Sequence, residues 1–133
     1  VAVDGAVVGR CGVGLLVLVA AHRDDTEANA DKMADRVAGL RIFGDGEGKM
    51  NLSLADVEGS VLAISNFTLY GDANKNLRPS FIESASYADG ERLYEAFVAG
   101  LLRRGVPVET GVFGAHMDVS LVNDGPVTIV LDA

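Results

Sequence analysis

The sequence predicts an α+β fold in which mostly antiparallel or mixed β-sheets pack against two main helices. Three observations carry that reading. Apolar runs of strand length recur along the chain, only two stretches show helical periodicity, and several strands follow one another with no helix between. The length of 133 residues suits one domain, and residues 1–133 are read as one. With 49% hydrophobic residues, the chain can bury a core without disulfides or metal.

In order, Val1-Ala2-Val3 and Ala6-Val7-Val8 flank Asp4-Gly5, a strong hairpin signal. The run from Gly14 to Val19 reads as a buried strand. Asp24, Asp25 and Thr26 offer N-caps for a helix reaching about Leu40, with Ala30, Met33, Ala34, Val37 and Leu40 on one face. Arg41-Ile42-Phe43 and Leu52-Ser53-Leu54 look like short strands around a Gly-rich loop, and Val61 to Ser65 is a continuous buried strand. Ser86 and Asp89 then make a capping-box pattern for a second helix. Its apolar stripe is Leu93, Tyr94, Phe97, Leu101 and Leu102, and Gly105 with Pro107 stops it. Strands follow at 108–110, 117–122 and 127–131. Both helices must cover sheet faces, so a three-layer or sandwich-like arrangement is expected.

Charge narrows the functions. Eleven basic residues against nineteen acidic ones give a net charge of −8, which argues against a broad electrostatic grip on nucleic acid but leaves room for a small contact at a nucleic-acid end. Cys11 is the only cysteine, so no intramolecular disulfide is possible, as suits a reducing compartment. The apolar run from Val13 to Ala21 is too short to span a bilayer, and no basic stretch precedes an apolar one at the N-terminus. A cytoplasmic protein without membrane association is the expectation.

The usual catalytic patterns fail. Gly44-Asp45-Gly46-Glu47-Gly48-Lys49 resembles a phosphate-binding loop only superficially, because Phe43 and Met50 occupy positions that need glycine and Ser/Thr. His22 and His116 lack zinc-ligand spacing, and a solvated or surface histidine is the favoured reading of each. No Gly-x-Ser-x-Gly elbow is present, and Cys11 has no visible activating neighbour. No metal or other cofactor is implied.

Two segments stand out. Asn123-Asp124-Gly125-Pro126-Val127-Thr128 puts a rigid, side-chain-poor corner directly before an apolar strand sequence. It reads as either a tight turn or a surface made to touch something. Ser65-Asn66-Phe67-Thr68-Leu69 runs off the buried strand toward Arg78-Pro79-Ser80-Phe81. Hydroxyl residues at the end of a core strand are placed where active sites often lie, although Thr68 filling a strand and Ser65 closing it is the blander alternative.

Together these segments resemble the D-aminoacyl-tRNA deacylase family. The family's Ser-Gln-Phe-Thr-Leu motif matches residues 65–69 at four of five positions, and its Asn-x-Gly-Pro-Val-Thr motif matches residues 123–128 fully. Arg41-Ile42-Phe43, Gly48 to Leu52, residues 78–81 and Gly111-x-Phe113-Gly114-Ala115 also look like family segments in order. Two departures stand beside them. Asn66 replaces the glutamine, and the family's Gln-Arg-Val strand has no counterpart ahead of Val1. The chain thus looks as if it starts about a dozen residues late by a usual strand length. An intact protein is expected to need that strand, since its loss exposes a sheet edge.

The resemblance implies hydrolysis of the ester joining a D-amino acid, and also mischarged glycine, to the 3′-terminal adenosine of tRNA. It implies a homodimer in which a cis Gly125-Pro126 corner of one subunit enters the other's site and rejects L residues. It further implies that the tRNA's ribose 2′-hydroxyl helps activate water, with backbone N–H groups around Phe67 and Thr68 facing the carbonyl oxygen. Ser65, Thr68 and Ser80 would shape the pocket, Asn66 would contact substrate, and Phe113 and Met117 would lie near the adenosine. Lys75, Arg78, Arg103 and Arg104 are candidates for contact with the tRNA body. Thr68 as a covalent nucleophile is the runner-up mechanism, and a non-catalytic nucleic-acid-binding accessory protein is the alternative function.

Overall fold

In the computed structural model, which describes residues 1–133, the first hairpin joins β1 (Ala2–Val3) and β2 (Ala6–Val7). Its turn residues Asp4 and Gly5 both have positive φ, 50° and 79°, as a two-residue hairpin turn that follows strand twist requires.

The central sheet has three strands in the order β3-β6-β7, all parallel: β3 (Gly14–Val19), β6 (Ser60–Ser65) and β7 (Val108–Thr110). β6 lies in the middle, and its Val61, Leu62, Ala63 and Ile64 are buried, as a continuous apolar run covered on both faces should be. β3 is an edge strand and only half-buried, with Leu18 exposed, so the expectation of a buried strand there is corrected. Antiparallel pairing is confined to short hairpins and isolated bridges. The second hairpin joins β4 (Phe43–Gly44) and β5 (Met50–Leu52) around the Gly-rich loop. Both strands are displaced by a residue or two from the expected positions, because Leu54 leaves the ladder to enter the core at 1% exposure.

Helices α1 (Glu27–Gly39) and α2 (Tyr87–Arg103) each lie between successive parallel strands, which parallel pairing demands. Thr26 caps α1, its backbone N–H donating to Asn29 Oδ1 at 2.9 Å. Ser86 caps α2, its Oγ accepting from Asp89 N–H at 3.2 Å. Ala34 and Val37 of α1 and Leu93, Phe97 and Leu101 of α2 are buried. Leu102 departs from the expected stripe and is 55% exposed, being one residue past the buried face.

Both helices pack on the same side of the sheet. The core joins Ala34, Val37, Phe97 and Leu101 to Val61 and Ala63. Alternate residues of a strand face opposite ways, so Leu62 and Ile64 point to the other side, toward Gly9 and Gly111. The layers are therefore helices, sheet, and a third layer made of the first hairpin and residues 111–118, while Leu131 returns to pack against the helix-side core. Fully burying a side chain such as Phe97 contributes about 1.5–3 kcal/mol.

The strands expected at 117–122 and 127–131 do not form. Asp118 makes one antiparallel bridge with Ala2, with both N–O distances 2.9 Å, and residues 127–131 carry no strand. Strand-forming side chains need a neighbouring strand to pair with, and none lies alongside. Val122 and Val130 are accordingly 94% and 86% exposed.

Across the outer surface of the helices, Arg104 Nη1 lies 2.9 Å and Arg103 Nη2 3.0 Å from Asp31 Oδ1. Hydrogen bonds from Arg104 first and Arg103 second hold the Asp31 carboxyl at about 2, below its usual 3.8. A carboxyl depressed on folding contributes stability above its unfolded value, and that contribution disappears as pH falls toward 2. Urea midpoints of the parent and Asp31→Asn should therefore differ at pH 5 and converge near pH 2. A constant gap would exclude the ion pair as its source.

Candidate active site

Parallel strands gather the ends of their loops on one edge of the sheet, the usual place for a binding crevice. Here Leu18, Ile64 and Ser65, at the C-terminal ends of β3 and β6, open into a cavity of about 780 Å³. Its other walls come from residues 66–68, from 84–90 around the start of α2, and from 113–119.

Beyond Ser65 the chain stops being a strand. Asn66 N–H still donates to Val19 O at 2.9 Å, and a 3₁₀ turn then spans Phe67–Tyr70. Its first bond runs from Leu69 N–H to Asn66 O at 3.2 Å. The N–H groups of Phe67 and Thr68 precede that bond, so the turn itself supplies them no acceptor. Thr68 Oγ1 donates to Asn66 Oδ1 at 2.5 Å, so the shortened amide arm is turned onto its own turn. The Phe67 ring is half-exposed and meets Phe81 edge-on at 5.2 Å.

The opposite wall is aromatic. Phe113 meets the Tyr87 ring edge-on at 5.0 Å and lies 6.0 Å from Tyr94. Tyr94 Oη donates to Ala63 O at 2.6 Å, tying this wall to the central strand, and burial pushes its phenol pKa up. Met117 packs over Gly111, where an added Cβ would sit 2.5 Å from Sδ. Glycine at 111 thus lets Met117 lie close to the strand.

The lining contains no Asp, Glu, Lys or Arg; Tyr87 and His116 are its ionisable side chains. The hydroxyl of Thr68 is engaged with an amide oxygen rather than a base. No cluster of three or more His, Cys, Asp or Glu residues is placed to hold a metal ion. No helix is long and apolar enough to cross a membrane. A smaller hollow of about 480 Å³ between α1 and α2 is charged, but its Arg92 and Arg103 are paired with Glu27 and Asp31 at 3.0 Å each.

Of the residues singled out in the sequence, the cavity gathers Ser65, Asn66, Phe67, Thr68, Phe113 and Met117. Ser80 lies outside the lining, exposed and bridged to Asp72 through backbone bonds of 2.8 and 2.9 Å. Gly125 and Pro126 are also outside it, on an exposed corner whose peptide is cis. Arg103 and Arg104 are engaged with acidic residues of α1, whereas Lys75 and Arg78 are exposed on the 72–80 loop. Sequence reasoning missed Ser84 and Tyr87, since a loop serine and the first residue of a helix carry no pattern of their own. His116, read as a surface histidine, is both exposed and part of the lining.

Comparison with known proteins places these features in company. A family model described as D-Tyr-tRNA(Tyr) deacylase matches residues 1–132. A D-aminoacyl-tRNA deacylase of Thermotoga petrophila is 55% identical over all of this chain and 89% of its own length. The protein of that name from Thermomicrobium roseum is 56% identical over all of this chain and 86% of its own. Among solved structures, a c-Myc DNA Unwinding Element Binding Protein superposes with a TM-score of 0.91 at 32% identity, over 99% of this chain and 90% of that one. A probable eukaryotic D-amino acid tRNA deacylase, at TM-score 0.60 and 20% identity over 79% of this chain and 76% of that one, shares the fold.

Proposed function

Since the chain belongs to the D-Tyr-tRNA(Tyr) deacylase family, we propose that it hydrolyses D-aminoacyl-tRNA in the cavity at the ends of β3 and β6. The observation that carries the reading is a cavity without charged catalytic side chains, bordered by a turn whose leading N–H groups are free of the turn's own bonds. Water adds to the ester carbonyl carbon, the bond to the terminal ribose oxygen breaks, and free D-amino acid and tRNA result. Glycyl-tRNA, having no side chain to reject, is cleaved by the same route.

The N–H groups of Phe67 and Thr68 stabilise the oxyanion as charge develops, a contribution that matters most where water is excluded. Ser65 closes the wall beneath the aminoacyl group, Asn66 holds the Thr68 hydroxyl, and the adenosine lies against Phe113 and Met117. The substrate's 2′-hydroxyl assists the attacking water, so the protein's work is positioning. Ser80, on the rim loop, acts at most indirectly. The protein works in the cytoplasm as a homodimer, with Gly125 and Pro126 reaching the partner's cavity. Lys75 and Arg78, exposed on the 72–80 loop, are the candidate contacts to the tRNA body.

The test is hydrolysis of D-Tyr-tRNA beside L-Tyr-tRNA, with cleavage of the D ester alone expected. The likeness to the c-Myc DNA Unwinding Element Binding Protein favours a second reading, binding to nucleic acid without catalysis, although the net charge of −8 weighs against it. Absence of turnover on either ester would select that reading. Within the deacylase reading, Thr68→Ala should keep kcat within about tenfold, since only a side-chain hydroxyl is lost. A fall of about four orders of magnitude, as when a catalytic triad member is removed, would make Thr68 the nucleophile.

A further inference from the structure

Ser84 Oγ donates a hydrogen bond to the Phe67 carbonyl at 3.0 Å. That carbonyl and the Thr68 N–H are opposite edges of one trans peptide plane. Whatever fixes the oxygen therefore fixes the direction of the N–H on the far edge. A hydrogen bond accepted by an amide oxygen also polarises the amide and makes its N–H a stronger donor.

Ser84 is held independently of the turn it touches. Glu83 O accepts from Arg23 N–H at 2.8 Å, and Ala85 N–H donates to Ala21 O at 2.9 Å, so the backbone on both sides is tied to the chain leaving β3. Ser84 N–H also donates to Phe81 O at 3.1 Å. The hydroxyl thus stands on a braced segment and reaches across to a turn that begins just beyond the last residue of β6. Ser84 and Thr68 both border the cavity.

We propose that Ser84 is a positioning residue for the reaction: its hydroxyl orients and polarises the Phe67–Thr68 peptide so that Thr68 N–H meets the developing oxyanion. This rests on the deacylase reading above. The serine touches no substrate atom and acts through the peptide alone. Its contribution is a share of what an oxyanion donor supplies, whose outright removal costs about a hundred- to a thousandfold in kcat.

The experiment is steady-state hydrolysis of D-Tyr-tRNA by the full chain and by Ser84→Ala and Ser84→Thr, with melting temperatures and the Thr68 amide proton shift recorded for each. Ser84→Ala is expected to lower kcat about tenfold while leaving KM and melting temperature near those of the parent. The Thr68 amide resonance should move upfield, and Ser84→Thr, which retains the hydroxyl, should restore both rate and shift. Unchanged kcat in Ser84→Ala beside an active parent overturns the positioning role alone. A loss that follows melting temperature and is not rescued by threonine overturns it in favour of a structural bond. An inactive parent defeats the deacylase reading instead, and is told apart by the parent's own assay.

Discussion

Gly14→Ala is expected to lower the unfolding free energy by about 3 kcal/mol or more, a large part of the 5–15 kcal/mol that holds a typical domain folded. A Cβ at this position would sit 1.8 Å from Ser60 O and 2.8 Å from the Ser60 backbone nitrogen and carbonyl carbon. None of these three backbone atoms can swing aside as a side chain would, because Gly14 and Ser60 are the first register pair of β3 and β6. Ser60 N–H also donates to Val13 O at 3.1 Å. Relief of the overlap must prise apart the two strands that lead to the cavity. A drop of about 10 °C or more in melting temperature is the expected reading. A drop of less than about 2 °C would show that the strands can shift without penalty.

That glycine illustrates what the sequence conceals. Gly14 was legible as the start of a strand, but nothing in its neighbourhood announces that another backbone passes within contact distance. The features set by local chemistry were readable: the Asp4-Gly5 turn, the Thr26 and Ser86 caps, and the buried Val61 to Ile64 run all follow from short-range rules. Features set by distant partners were not. Residues 127–131 have every compositional mark of a strand and form none, because strand propensity expresses packing against a neighbour. The parallel order of β3, β6 and β7 was hidden for a related reason, since a helix between two strands does not by itself say which strands pair.

The site divides the same way. Residues 65–68 were found through the family resemblance, and their position at a strand end gave that resemblance a physical basis. The local conformation was not foreseen: Thr68 reads as a strand residue by propensity, yet it lies in a 3₁₀ turn with its hydroxyl bonded to Asn66. Tyr87 and Ser84 became visible only when the start of α2 was seen to fold back over the end of β3. Ser80 was named through the same resemblance, and in the single chain it lies on the exposed 72–80 loop, outside the cavity lining.

Pro126→Ala should raise cleavage of L-Tyr-tRNA by about ten- to a hundredfold while cleavage of the D ester stays within a few-fold. Gly125 and Pro126 border no part of their own chain's cavity, so if they select substrates they must do so in a second copy. The segments on either side of the corner are in keeping with that arrangement, because Leu121, Val122, Ile129 and Val130 are 60%, 94%, 47% and 86% exposed, and exposed apolar side chains favour being covered. Proline holds its φ near −65°, which fixes the corner as a hard obstacle; alanine lets it yield. Forcing a side chain against such a surface costs about 1–3 kcal/mol, and each 1.4 kcal/mol is a tenfold change, from which the expected gain follows. In the proposed arrangement the corner and the cavity it guards belong to different subunits, so mixed dimers provide the sharper test. Pairing Pro126→Ala chains with chains whose cavity is filled by Gly90→Trp, at a lining position where an added Cβ meets only the Phe113 ring at 3.6 Å, leaves one working cavity, facing an unaltered corner. Chiral discrimination should then return. If L-Tyr-tRNA is still cleaved in such dimers, the corner acts within its own subunit and the cross-subunit gate is wrong.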